Sequence, residues 1–176
     1  FGVIQVTDGT ATAQTSALIF SITGSNDTPT ITATPSATLV EAGGSNNETT
    51  GTATASITLS KGDVDGTASY DTNYLSSNGW SKDGSISVVY TKTGTYGTAS
   101  FNTSTGVVSY TLNNNASATQ ALTAGQVVSD NFGAIQVTDG TATAQTSALI
   151  FLITGSNDAH TITATVVSGA VTEDLT

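Results

Sequence analysis

The side chains best equipped for chemistry in this chain are carboxylates, and their spacing matters more than their number. Asp63 and Asp65 flank Val64 between Gly62 and Gly66. In an extended or turning segment, positions i and i+2 project to the same side, and two like charges so placed repel unless something bridges them. A hard divalent cation can do so. Calcium takes about six to eight oxygens from carboxylates, carbonyls and amides at flexible geometry. Asn26-Asp27 and Asn157-Asp158 each add an amide and a carboxylate, Glu41 follows a predicted first strand, and Asp139 sits on a predicted hairpin turn. The expected calcium ligands are therefore Asn26, Asp27, Glu41, Asp63, Asp65, Asp139, Asn157 and Asp158. Asp8 and Asp139, each followed by glycine, also read simply as turn formers. Asp71, Asp83 and Glu48 read as solvated or turn residues, and Asp130 as a reserve ligand. With no cysteine and a single histidine, His160, other metals are not favoured.

Composition frames this chemistry. The 176 residues hold three lysines, no arginine and thirteen acids, a net charge of −10. Such a balance repels nucleic-acid phosphates and favours divalent cations. Apolar residues make up 37% and charged residues only 9%, with polarity carried by Thr, Ser, Asn and Gly rather than by the high charge of disordered chains. Thr, Val and Ile favour pleated strands, and no long window shows helical periodicity, so the expected fold is all-β. Cysteine and methionine are absent, which leaves metal as the staple for a thin core. No run of 18 apolar residues predicts a membrane span. No paired His, acid and nucleophile and no phosphate-binding glycine loop emerge, so no catalytic residue is assigned.

An internal repeat organises the chain. Residues 1–34 and 132–165 differ at only four positions: Val3/Ala134, Ser21/Leu152, Thr28/Ala159 and Pro29/His160. The offset is 131 residues, from Phe1 to Phe132. Near-identical copies at a fixed period indicate a tandem array. The expected division is 1–27 as the last strands of a preceding repeat, 28–158 as one complete repeat, and 159–176 as the start of the next. Glu173 would then repeat Glu41. Each junction is expected to gather the linker Asn-Asp, the paired aspartates of the following repeat and the glutamate of its first strand.

Within the complete repeat, alternation predicts strands over Thr30–Thr34, Thr52–Leu59, Ser85–Thr91, Thr95–Asn102, Val107–Leu112, Phe132–Thr138 and Thr143–Thr154. Asp139-Gly140 marks the last hairpin turn. Residues 71–84 are expected to form a long loop or added hairpin. Residues 116–129 are expected to cross between sheets with one helical turn. About seven to nine strands with frequent turns describe an immunoglobulin- or cadherin-like β-sandwich.

One ordered run has a further likeness. Thr95-Tyr96-Gly97-Thr98, Gly106-Val107-Val108-Ser109-Tyr110-Thr111-Leu112-Asn113 and Gln120-Ala121-Leu122-Thr123-Ala124-Gly125 are followed by Asp130-Asn131-Phe132, Val137-Thr138-Asp139-Gly140 and Ile153-Thr154-Gly155-Ser156-Asn157-Asp158. Together they resemble the VCBS repeat, a cadherin-like bacterial domain. That resemblance implies an extracellular or cell-surface, type I-secreted adhesin of a Gram-negative bacterium. In such proteins tandem repeats, stiffened by calcium at their junctions, hold a terminal binding domain away from the cell. The 131-residue period is long for the family, chiefly through Tyr70–Tyr90, and His160 stands where the family has the proline retained at Pro29.

The partners expected are neighbouring repeats of the same chain. Two alternatives accompany this reading. Trp80, Tyr74, Tyr70 and Tyr90 offer a carbohydrate platform if they face solvent, and the 1–28 segment offers strands for exchange between copies, assembling a filament.

Overall fold

The computed structural model describes residues 2–35, 38–43, 50–158 and 169. The expectations placed on Glu48, His160, Glu173 and the 159–176 segment lie outside the described residues. An N-terminal hairpin, β1 (Gln5–Thr7) and β2 (Thr12–Gln14), precedes the main body. The body then runs through β3 (Thr30–Pro35), β4 (Leu39–Val40), β5 (Thr54–Gly62), β6 (Ser69–Tyr70), α1 (Thr72–Ser77), β7 (Ser81–Lys82), β8 (Val89–Thr93) and β9 (Gly97–Asn102). It closes with β10 (Val107–Leu112), α2 (Ser117–Gln120), β11 (Val127–Asn131), β12 (Gln136–Thr138), β13 (Thr143–Gln145) and β14 (Ile150–Thr154).

The fold is an all-β sandwich. One layer is a six-stranded sheet, ordered β3-β5-β10-β9-β8-β7. The other is built from two three-stranded sheets, β11-β14-β4 and β13-β12-β6. Every pairing is antiparallel except that of β14 with β4. Alternation sets the faces: Ala55, Ile57 and Leu59 of β5 are buried, as are Val108, Tyr110 and Leu112 of β10. Their intervening partners form cross-strand rows of hydroxyls, such as Ser56, Ser109, Ser100 and Thr91.

The body holds twelve strands among the described residues, more than the seven to nine expected, because several are two- or three-residue pieces. Thr143–Thr154 is two strands rather than one, and Ser85–Thr91 begins only at Val89. There Asp83 takes up the N–H groups of Ser85 and Ile86 at 2.7 and 2.8 Å, which turns the chain before the strand starts. The 71–84 stretch carries a short helix. Asp71 caps it, accepting from Asn73 N and Tyr74 N at 3.0 Å each. This segment feeds the core with Leu75 and Trp80, and Trp80 packs 6.2 Å from Phe101 and 6.0 Å from Phe132. Tyr90 is also buried and Tyr70 meets Phe101 edge-on at 4.9 Å, so three of the four rings named for a carbohydrate platform pack into the sandwich.

Asp130 joins the two layers. It sits on β11, buried, and its Oδ1 accepts from Thr95 N at 2.8 Å while Oδ2 accepts from Tyr96 N at 3.0 Å and the Tyr110 hydroxyl at 2.7 Å. These donors belong to the β8–β9 turn and to β10, in the opposite sheet. Burial first, and the bond to Asp130 second, push the Tyr110 hydroxyl well above the usual tyrosine range, so it stays a donor. A Cβ at Gly94 would fall 2.2 Å from Asp130 Oδ2, and this is why the turn needs glycine there. The reserve-ligand reading of Asp130 is thus replaced by a structural one.

Replacing Asp130 by alanine strands two N–H groups and a phenol in the interior. We expect Asp130→Ala to lose roughly 3 kcal/mol of unfolding free energy, measured as a lower urea midpoint at unchanged slope. Asp130→Asn, which keeps one acceptor oxygen, should lose less.

Candidate metal centre

The eight predicted ligands fall into two groups at opposite ends of the sandwich. β5 runs between them, and its nine residues separate the ends by about 30 Å at the usual strand rise.

Asn26, Asp27, Asp63, Asp65 and Asp139 meet at the first end. β3 and β5 pair through Thr30 and Gly62, which sets the linker beside the loop that follows β5. Asp27 N donates to Asp65 Oδ2 at 3.1 Å. Asn26 Nδ2 donates to its neighbour's carbonyl, Asp27 O, and to Asp139 Oδ2, both at 2.9 Å. Asp139 also makes its own turn, Oδ1 accepting from Thr141 N at 2.6 Å and Ala142 N at 2.7 Å. Its two roles therefore coexist, because each uses a different oxygen. Asp8 forms the same turn with Thr10 N and Ala11 N at 2.9 and 2.8 Å. The Ala142 N–H, followed by the Asn26 amide and the Thr141 N–H, holds the Asp139 carboxyl below the usual aspartate range. The Ala11 and Thr10 N–H groups do the same for Asp8.

Asp63 is the exception at this end. Both of its carboxylate oxygens are buried, and neither has a hydrogen-bond partner among the described residues. Gly66 leaves room for them, since a Cβ there would lie 2.9 Å from Asp63 Oδ2. A buried carboxylate with no donor is costly, and proteins normally pair it or give it a metal. The nearest lysine in sequence is engaged elsewhere: Lys61 Nζ donates to Ala68 O and lies 5.4 Å from the Tyr70 ring centroid.

Glu41, Asn157 and Asp158 meet at the second end. This separates Glu41 from Asp63 and Asp65, with which the sequence reading had grouped it. The cause is β4: it pairs with the end of β14, and Glu41 N donates to Thr154 O at 2.9 Å. The Glu41 side chain is fully buried. Its Oε2 accepts from Ser156 N at 3.1 Å, and Oε1 accepts from the Gln120 amide at 3.5 Å. Among the described residues, Asp158 Oδ1 and Ser156 Oγ are buried without partners. Asn157 Nδ2 donates to Asp158 O at 3.2 Å, the same local geometry as Asn26 over Asp27. Burial raises the Glu41 carboxyl above the usual glutamate range, the Ser156 N–H opposes this, and the charge of Asp158 adds to the rise. Ser156 and Gln120 were missed as members of this group. Ser156 was visible only as part of the Gly-Ser-Asn-Asp boundary, and Gln120 lies 79 residues from Glu41.

Among the described residues, no group of three or more His, Cys, Asp or Glu side chains is assembled to hold a metal ion. Each end instead gathers carboxylate and amide groups, some of whose oxygens are buried without a hydrogen-bond partner among the described residues.

The two ends respond oppositely to acid. Glu41, with its raised folded value, contributes stability that is present below its ordinary value of 4.5 and is lost as pH rises through the folded value. Asp8 and Asp139, with depressed values, contribute stability that is present above 3.8 and is lost as pH falls through theirs. In chelator, the unfolding midpoint should therefore rise as pH drops from 7 toward 4.5 and then fall in stronger acid. Glu41→Gln should flatten the rising limb and leave the acid limb in place, which thermal unfolding across pH will check. A scan of this chain against family models finds no match, and neither do searches of curated proteins and of solved structures.

Proposed function

We propose that the 28–158 unit is a structural extender repeat of a large bacterial surface adhesin or secreted fibrous protein, with calcium clamping its ends to neighbouring repeats. The carrying observation is Asp63, whose two buried oxygens have no partner, beside Asp65 and the incoming Asn26-Asp27 linker. The near-identical copy of the linker at Asn157-Asp158, the partnerless Asp158 Oδ1 and the buried Glu41 support a second such position at the other end. The 131-residue repeat and the resemblance to VCBS repeats support a tandem array outside the cell. In this reading Asp63 and Asp65 are cation ligands with Asp27 and Asn26, Asp139 steadies the linker amide, and Glu41 and Asp158 face the following repeat. The role is to set distance and stiffness rather than to turn over a substrate.

Thermal unfolding with and without calcium tests this. A cation bound only to the folded state adds stability by mass action, about 2.7 kcal/mol at a hundredfold excess over Kd. We expect calcium to raise the midpoint at pH 7, EDTA to reverse the rise, and Asp63→Asn to remove most of it. A midpoint indifferent to calcium, or a full response in Asp63→Asn, would sink the proposal.

A further inference from the structure

The N-terminal segment 2–27 presents, except at Val3/Ala134 and Ser21/Leu152, the same side chains as 133–158 in a different state of burial. The two hairpins are alike in detail. β1 and β2 pair Gln5 with Gln14 and Val6 with Ala13, as β12 and β13 pair Gln136 with Gln145 and Val137 with Ala144. Ile4 N donates to Thr15 Oγ1 at 3.1 Å, as Ile135 N does to Thr146 Oγ1 at 3.0 Å. Yet Ile4 is 53% exposed and Ile135 0%, Val6 64% and Val137 0%, and Ile22 93% and Ile153 0%. Leu18 and Leu149 follow suit at 39% and 2%. The N-terminal hairpin therefore adopts its closed geometry with an apolar face uncovered.

In the second copy the fold shows what flanks the segment and what covers that face. β12 pairs with β6 through Val137 and Tyr70, β14 lies between β11 and β4, and Ile135, Leu149 and Ile153 share one core with Ile57, Val108 and Tyr110 of the six-stranded sheet. Sequence identity at these positions selects a surface of the same shape. A generic sticky patch would not distinguish the two sides of the segment, but this one does: Ile150 and Leu152, the counterparts of Ile19 and Ser21, stay about half exposed after packing. Only one side of the segment is an interface.

We infer that residues 2–27 form a closing module whose partner is the sandwich body of a second copy of the repeat, the equivalent of residues 28–131. The module docks through Ile4, Val6, Leu18 and Ile22, with Ile19 and Ser21 turned to solvent. The hairpin is already formed, so docking adds residues 19–23 as a strand between the partner's equivalents of β11 and β4 in the register seen for β14.

The test is a chain carrying residues 28–131 directly before Phe1, which keeps the 131-residue offset. Hydrogen exchange of the 19–23 amides is compared with that in the 176-residue chain, in EDTA so that calcium plays no part. Slowing by about 100-fold or more is expected on docking into a stable sheet. Ile22→Asp should abolish the slowing and Ile19→Asp should not. Unchanged exchange in the extended chain, or equal effects of the two substitutions, would overturn the inference. Because calcium is absent throughout, neither result bears on the metal proposal.

Discussion

Carboxylates outnumber ammonium groups by thirteen to three in this chain, so the fold must satisfy its acids with N–H groups. Most of the local architecture follows from that shortage. Asp71 caps a helix, Asp83 turns the chain into β8, and Asp8 and Asp139 each close a hairpin, all by accepting backbone N–H donors. Asp130 extends the device across the sandwich, where two N–H groups and a phenol replace a cation. Lys92 works the same way in reverse, donating to the carbonyls of Asn78 and Phe132. Backbone groups are uncharged and directional, so they hold an acid only where the chain path brings donors to it. Among the described residues, Asp63, Asp158 and in part Glu41 are the buried acids whose surroundings lack such donors, and they lie at the two ends.

These acids lie where the chain enters and leaves the sandwich. An acid in mid-sandwich has two sheets from which to draw donors, as Asp130 does. An acid at the end of a strand has half as many neighbours, and the missing half belongs to whatever lies beyond. The linker supplies part of it: Asp27 N reaches Asp65, and the Asn26 amide reaches Asp139. The same short stretch is thus tied to the body that follows it, while the segment just before it carries Leu18 and Ile22 exposed.

Much of the sandwich was legible from alternation. β10 occupies Val107–Leu112 as expected, and the strand expected over Thr52–Leu59 is β5, with Ala55, Ile57 and Leu59 on its buried face. Short elements were not legible, because six residues give less than two helical turns of periodicity and a two-residue strand gives none. α1 was announced only by Asp71, a residue equally at home in a turn. β11 was hidden because one of its inward residues is an aspartate. Among the site residues, the pairing of Asp63 with Asp65 and of each linker Asn with its Asp followed from adjacency. The separation of Glu41 from Asp63 did not, because it depends on β4 crossing to pair with β14, a contact spanning more than a hundred residues. The role of Asp130 depends on donors 34 and 35 residues away, for which sequence offers no local sign.

The parallel pairing of β14 with β4 has a mechanical consequence. Ile153 and Thr154 stand opposite Leu39 and Val40, and Glu41 N bonds to Thr154 O just beyond. The chain reaches β4 from the first linker through β3, which is itself paired with β5, and leaves β14 into the second. Tension that passes β3 pulls β4 and β14 past each other along their length, so the bonds between them are loaded together, in shear. A hairpin pulled at its open end breaks one bond at a time, whereas a parallel clasp of this kind must yield all at once.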